Sequence, residues 1–427
     1  MNRRRTVSAA TLCAVALVAS ACGNGGDSKG SGSKELNIIS IATPSGPGYA
    51  TLQKAISTFE QQSGAKLNLT TAAGDSVISQ FESSSLAGNE ADVVNINPVG
   101  NVRNWLKSGA IVDANQYLDS WGLKDTVNPE AVKQWTLDGQ LQGFPYETFT
   151  WPLWLNMDLL AKAGITAAPA TLDELQADAA KLKAAGITPL AVGGSDWTGQ
   201  DMLQRFIQLY LPTSDYPDVF GSGKYCANQH AMDALTEVTR LRDAGLFAKN
   251  VQGLTSNDMN TAFYTGKAAM MLAGSWAFGD VPKALAPHIA FTGLPLPASG
   301  AAVSKPAFAV GYTSAGWLIS KNGAKKGDLI KQFLKIIYSD ETVKETISSA
   351  GFVPAVAKVP DLPADASPLV TASIKAVAAT DRLVPTDAWV PPSVVSSYTQ
   401  GSSVAYTPGK SAADVCKALE KVYASAK

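Results

Sequence analysis

From Glu35 onward the chain alternates between short apolar runs and longer stretches in which apolar residues recur every three or four positions, the rhythm of strands feeding helices. ELNIISIA (35–42) reads as a strand, and the proline- and glycine-rich stretch from Thr43 to Gly48 as a loop. Leu52, Ala55, Ile56 and Phe59 form the apolar stripe of a helix that Gly64 stops, and Lys66 to Thr71 returns as a second strand, completing a βαβ unit. The loop from Ala72 to Ser76 leads to a helix from Val77 to Leu86, and ADVVNI (91–96) is a third strand ending at Asn97 and Pro98. Three strands in succession run into a polar turn. That is the doubly wound α/β pattern, which holds ligands at the carboxyl ends of its strands. Ser45, Asp75 and Asn97 are the polar side chains at those ends; Ser45 and Asp75 also suit helix caps, and Asn97 a turn before Pro98.

A helical stretch containing Trp105, Trp121 and Trp135, whose expected role is packing, gives way at Gln140 to a segment without helical rhythm. WPLWLN (151–156) then alternates as a strand. Thr171 to Glu174 is a capping box opening a helix that runs through Leu182 to Gly186. ITPLAVGG (187–194) is the next strand, and its end delivers Ser195, Asp196, Trp197, Thr198, Gly199 and Gln200 in a turn into a helix. The same arrangement recurs farther on. Asn257 caps a short helix with Met259, Ala262 and Phe263 on its apolar side, Gly266 stops it, and Lys267 to Leu272 is a strand apolar on both faces. Gly274, Ser275 and Trp276 then turn into the following helix, so Trp197 and Trp276 both project from strand ends. Phe308 to Ser320 reads as a strand broken at Gly311 and Gly316, with Tyr312 in its irregular part and Trp317 in its apolar part. Helices are expected from Ala324 to Tyr338 and from Asp340 to Ala350. Residues 376–409, rich in proline and serine, carry Trp389 in a segment with no clear regular structure, and Ser411 caps a terminal helix that presents Cys416, Leu419 and Val422 on one side.

TAFYTGKAAMMLAGSWAFG (261–279) resembles the signature of the extracellular sugar-binding lipoproteins that serve ABC importers, the maltose-binding-protein-like solute receptors, and the run from Phe144 to Gly186 is similar to that family's central block. The likeness covers nearly the whole chain. It implies a two-lobed periplasmic-binding-protein-like α/β fold, each lobe a mainly parallel sheet flanked by helices, with the ligand cleft between lobes. The first lobe would comprise residues 35–147 and 305–352, and the second residues 148–304 and 353–427. Tyr146, Glu147 and Trp151 flank the first crossing and so line the cleft, with Tyr312 and Trp389 as further walls. A pyranose has apolar C–H faces and a rim of hydroxyls, so Trp197 and Trp276 suit the faces while Glu147, Asp196, Asp75, Asn97 and Gln200 suit the rim. The expected ligand is a di- or oligosaccharide, delivered to a transmembrane permease when the lobes close.

The first residues fit that export role. Arg3, Arg4 and Arg5 precede a mostly small and apolar run from Val7 to Ala19, the pattern of a signal peptide over residues 1–21. Val18 to Cys22 resembles a bacterial lipobox, which makes Cys22 the lipid-bearing residue, with 22–34 as a flexible tether and the protein held at the outer face of the cell membrane. Among the four cysteines, Cys13 leaves with the signal and Cys22 takes lipid. Cys226 and Cys416 remain, and an even remainder outside the cytosol points to a disulfide; the resemblance, which returns the tail to the second lobe, supports the pairing.

Composition narrows the function further. The 35 basic and 36 acidic residues become 32 and 36 once the three leader arginines are removed, a formal charge of −4. There is no basic stripe for nucleic acid, and a monomer with an uncharged or weakly charged ligand is expected. The two histidines, His230 and His288, have no second histidine at ligand spacing, and no phosphate loop or nucleophile elbow occurs, so no cofactor is expected; the lipid anchor and tether, with the block order that resembles the solute receptors, argue against an enzyme. A glycoside hydrolase would also use carboxylates beside tryptophans, and a receptor of the same fold could take a non-sugar solute.

Overall fold

The computed structural model describes residues 34–426 apart from residues 45, 47, 98–99, 350–351, 363–365 and 387–388, together with the backbone but not the side chains of residues 75, 101, 103, 392 and 396. The leader, Cys22 and the tether up to residue 33 lie outside the described residues, as does Ser45.

The first βαβ unit forms as its periodicity dictates. Strand β1 (Glu35–Ser40) pairs in parallel with β2 (Lys66–Thr71) in a register running from Glu35 opposite Lys66 to Ser40 opposite Thr71. The helix Tyr49–Ser63 between them buries Leu52, Ala55, Ile56 and Phe59, and Gly64 ends it in the left-handed conformation at φ 64°, its N–H returning to the Glu60 carbonyl. Strand β3 (Val93–Ile96), buried throughout, pairs in parallel with β1 on its other side. A small hairpin of β4 (Thr136–Leu137) and β5 (Gln140–Leu141) precedes β6 (Phe144–Trp151), which continues across Pro152 into β7 (Leu153–Asn156). Then follow β8 (Thr188–Ala191), β9 (Ala268–Leu272), β10 (Ile289–Thr292), β11 (Ala307–Ile319), β12 (Val353–Pro354) and β13 (Asp381–Leu383).

These strands make two main sheets. One is seven-stranded in the order β12-β6-β11-β3-β1-β2 with β13 added to β11, and the other four-stranded in the order β10-β7-β9-β8. Both are mixed where mainly parallel sheets were expected. β1, β2 and β3 run parallel, but β11 is antiparallel to β3 and β6, and β7 is antiparallel to β9 and β10. The cause is connectivity: β6 runs straight on into β7 in the other sheet, so the direction of β7 is set by that of β6 and not by a crossover helix, and each lies antiparallel to its neighbours in its own sheet. Pro152, which has no N–H to give a ladder, stands where the chain leaves the first sheet for the second.

Three features depart from the expected elements. β11 is one strand of thirteen residues with register shifts between Gly311 and Gly316, not a strand broken at those glycines. A Cβ at Gly311 would meet the Phe149 ring and Pro385, and one at Gly316 would meet the Trp135 ring and the Phe144 carbonyl, so both glycines serve close packing across the sheet. Residues 376–409 contain the whole helix Pro392–Ser403, the strand β13 and the end of the helix Pro368–Ala379. Both helices begin on a proline, where its missing N–H would be unpaired in any case. The short helix Ser256–Tyr264 is capped by Thr255, whose hydroxyl and the Asp258 carboxylate form a capping box, in place of Asn257.

The terminal helix Ala412–Ser425 opens with a capping box at Ser411 and buries Val415, Cys416, Leu419 and Tyr423 in the core around the second sheet. A disulfide joins Cys416 to Cys226.

Candidate ligand-binding site

Trp276 stands one residue beyond the turn that follows the wholly buried strand β9. Its neighbour must be glycine, because a Cβ at Gly274 would run into the indole that lies across that backbone. Trp197 opens the helix Trp197–Tyr210 and is 45% exposed, an unusual degree for so large an apolar side chain in a turn held this tightly. Trp151 ends β6 and is buried. The three rings meet. Trp151 is edge-on to Trp276 at 4.8 Å and to Trp197 at 5.5 Å between centroids, and Trp197 lies 6.1 Å from Trp276. Phe149, two residues before Trp151 on β6, adds a fourth ring 5.8 Å from Trp276. Trp154, by contrast, is fully buried and donates its N–H to the Ala273 carbonyl at 2.7 Å. Trp151 and Trp154 thus take different surroundings, as the alternation of their segment requires.

The polar candidates fall into two groups. Glu147 accepts a hydrogen bond from the Ser314 hydroxyl at 3.0 Å, and burial pushes its carboxyl up to about 7 in spite of that bond. Asn97 is half-buried at the end of β3. Next to it, Asn95 takes the Ser40 hydroxyl at 2.9 Å and gives its amide to the Gly316 carbonyl at 3.1 Å, latching β1, β3 and β11 together. The others are committed to the scaffold. Asp196 caps its helix, accepting from the Thr198 N–H at 3.0 Å and hydroxyl at 2.7 Å through one oxygen and from the Ser256 N–H at 2.5 Å through the other. Ser275 is buried and accepts from the Thr150 N–H at 3.2 Å, and the Gln200 side-chain oxygen accepts from Thr399 at 2.7 Å.

Tyr146, expected to line the cleft, is a core residue. Its ring packs among Trp317, Tyr338 and Phe352, and its hydroxyl meets that of Thr346 at 3.0 Å. The reason is that β6 is an interior strand, so alternate side chains turn inward onto the helices that cover the sheet. Trp317 is likewise 2% exposed. Tyr312 is half-buried in the bulged part of β11, its carbonyl accepting from the Trp135 N–H at 2.6 Å. Trp389 is half-buried edge-on to Tyr216 at 5.1 Å. Asp75 belongs to the helix Gly74–Leu86, but its side chain lies outside the described residues, as does Ser45.

Sequence reasoning passed over Phe149, Ser314 and Arg205. Arg205 is buried with its guanidinium carbon 5.6 Å from the Trp151 ring centroid. Its signal was present: an arginine four residues after Asp201 on a helix otherwise rich in apolar residues. Among the described residues no three His, Cys, Asp or Glu side chains gather to hold a metal ion, and no helix is long and apolar enough to cross a membrane.

Two α/β sheets joined by strands that pass from one to the other, with aromatic rings gathered at strand ends, define a two-lobed solute receptor. The chain belongs to the bacterial extracellular solute-binding protein family, whose sequence pattern it matches over residues 43–344. A solved structure from Streptomyces coelicolor, described as a "probable secreted solute-binding lipoprotein", is 36% identical, superposes with a TM-score of 0.85 and covers 92% of this chain and 100% of that one. A solved chitin oligosaccharide binding protein is 27% identical with a TM-score of 0.75, covering 91% and 99%. A Rhizobium meliloti relative named "Probable sugar-binding periplasmic protein" is 29% identical over 188 residues, 43% of this chain and 44% of that protein. Brucella abortus binding proteins match at 24% over 274 residues, so the chain spans 64% of the length of those curated relatives.

The titration of Glu147 gives a testable consequence. A carboxyl that titrates near 7 when folded and near 4.5 when unfolded contributes stability that is fully present below about pH 4.5 and lost as pH rises through about 7. The Glu147→Gln variant, which still accepts from Ser314, is expected to flatten that fall and to exceed the parent in stability above pH 7 by at most about 3 kcal/mol. Urea midpoints of both proteins from pH 4 to 8 check this; parallel profiles would mean that Glu147 does not carry the slope.

Proposed function

We propose that this protein is an extracellular receptor that captures a carbohydrate, a di- or oligosaccharide, between its lobes and passes it to the permease of an ABC importer. The observation that carries the reading is the mutual contact of Trp151, Trp197 and Trp276, with Trp197 left 45% exposed beside a buried ring and a half-buried one. An exposed indole backed by others is a flat apolar platform that desolvates the C–H face of a pyranose. Glu147 and Asn97 supply hydroxyl partners from the first sheet, with Ser45, Asp75, Gln200, Tyr312 and Trp389 bordering the cleft. Sugar hydroxyls that donate to Glu147 favour its ionised form and so lower its titration point on binding.

The ligand stabilises the closed form by touching both lobes, residues 35–147 with 305–352 and residues 148–304 with 353–427, and the permease reads that form. The receptor acts as a monomer without cofactor or catalysis, held by lipid on Cys22 at the outer face of the membrane. The relatives named for sugar and chitin-oligosaccharide binding support the ligand class.

The test is a thermal-shift screen against mono-, di- and oligosaccharides, amino acids and peptides, since a ligand that binds only the native state raises the melting temperature by mass action. A rise confined to one saccharide class is expected. A rise only with peptides or amino acids would discard the sugar reading, and release of shorter sugars on incubation would make the protein a hydrolase.

A further inference from the structure

The tryptophan patch is backed by a buried cation. Arg205 is 2% exposed, and its guanidinium is fixed by the Asp201 carboxylate at 2.5 Å and the Gln208 side-chain oxygen at 2.8 Å. Gln208 is itself held, giving its amide to the Tyr216 hydroxyl at 3.0 Å and the Val384 carbonyl at 2.7 Å. The guanidinium therefore has one place to lie, 5.6 Å from the centroid of Trp151. Burying an ion pair does little for stability, because desolvation offsets the attraction, and apolar residues of the same volume often serve as well.

Trp151 needs such a support. Trp154, Trp135 and Trp105 are each held by a hydrogen bond from the indole N–H, to the Ala273 carbonyl, the Tyr312 carbonyl and the Glu82 carboxylate at 2.7, 2.6 and 2.9 Å. Among the described residues the buried N–H of Trp151 has no protein acceptor, so contacts on its ring set its tilt. Trp151 is also the central member of the patch, with the two closest ring contacts. The geometry points to Arg205 as a positioning residue for ligand binding: its guanidinium holds the Trp151 ring, and Trp151 in turn sets the planes of Trp276 and Trp197. Because Asp201 balances its charge, the pair orients the platform without adding a net charge that would select an acidic sugar.

The effect on affinity rests on the saccharide reading above, whereas the effect on ring geometry does not. Indoles this close couple electronically, and their circular dichroism carries an exciton couplet that depends on mutual angle. In the full protein, Trp151→Phe is expected to remove the part of that couplet carried by its contacts with Trp276 and Trp197, leaving the weaker part from Trp197 and Trp276, which lie 6.1 Å apart. Arg205→Lys, which keeps a charge for Asp201 but not the planar guanidinium, is expected to reduce it clearly and to weaken the saccharide found in the screen about tenfold, with the protein still folded. The paired variant Asp201→Asn with Arg205→Gln removes both charges together, so no lone buried carboxylate remains, and is expected to give the same two losses. A couplet and an affinity kept within about twofold in both variants would overturn the inference. If no saccharide binds the parent protein, the proposed ligand class fails, and the couplet alone decides the role of Arg205.

Discussion

Replacing both Trp197 and Trp276 with alanine is expected to weaken saccharide binding by about 100-fold or more while the protein stays folded. The two rings contribute differently to the fold. Trp197 is 45% exposed and touches Trp151 and Trp276, so its loss uncovers little that was dry. Trp276 is half-buried against Phe149 and Trp151, and its truncation should cost about 1–2 kcal/mol, a small part of the stability of a chain this long. Binding loses far more, because a sugar face laid on bare backbone keeps its water on one side. Titration calorimetry of the double variant beside its melting curve separates the two effects. Retained affinity in a folded double variant would remove the platform from the account of binding.

Changing Cys226 and Cys416 together to serine is expected to give the largest loss of stability. The bridge closes a separation of 190 residues, for which the chain-entropy account gives about 5 kcal/mol as an upper figure. Native packing compensates only in part. Val415, Cys416, Leu419 and Tyr423 already bury one side of the terminal helix, and Glu420 accepts the Cys226 N–H at 2.9 Å, so the helix is expected to stay docked at room temperature. The bridge constrains the unfolded chain, and saccharide affinity of the folded variant should match the parent. Guanidinium unfolding of the parent with and without reductant, and of the variant, measures the difference; coincident curves would show that packing alone holds the tail.

Much of this architecture was legible because it is local. Apolar spacing set the helix Tyr49–Ser63, caps at Thr171 and Ser411 opened their helices, and the apolar run after Gly266 became the buried strand β9. Where local reading went astray, one signal had two physical causes. Proline at residues 368 and 392 starts helices although proline clusters also mark loops, and Gly311 and Gly316 admit neighbouring rings although glycine also interrupts strands. Thr255 and Asn257 are both acceptable caps, and the reciprocal bond from Asp258 decides for Thr255.

The candidate site divides in the same way. The chain order alone placed Trp197 and Trp276 at the ends of strands and left Cys226 and Cys416 as a pair, since these depend on elements a few residues long and on a count of thiols. It could not choose between Tyr146 and Trp151, five residues apart on one strand, because which of them enters the core beside Trp317 and Tyr338 and which joins Trp197 and Trp276 depends on the partners β6 finds in β11 and β12. Nor could it bring Arg205 beneath Trp151 or show that Asp196 is spent on backbone N–H groups. Those facts come from contacts between segments far apart in the chain, where packing, burial and the need to satisfy every enclosed polar atom select one arrangement from many that the local pattern allows.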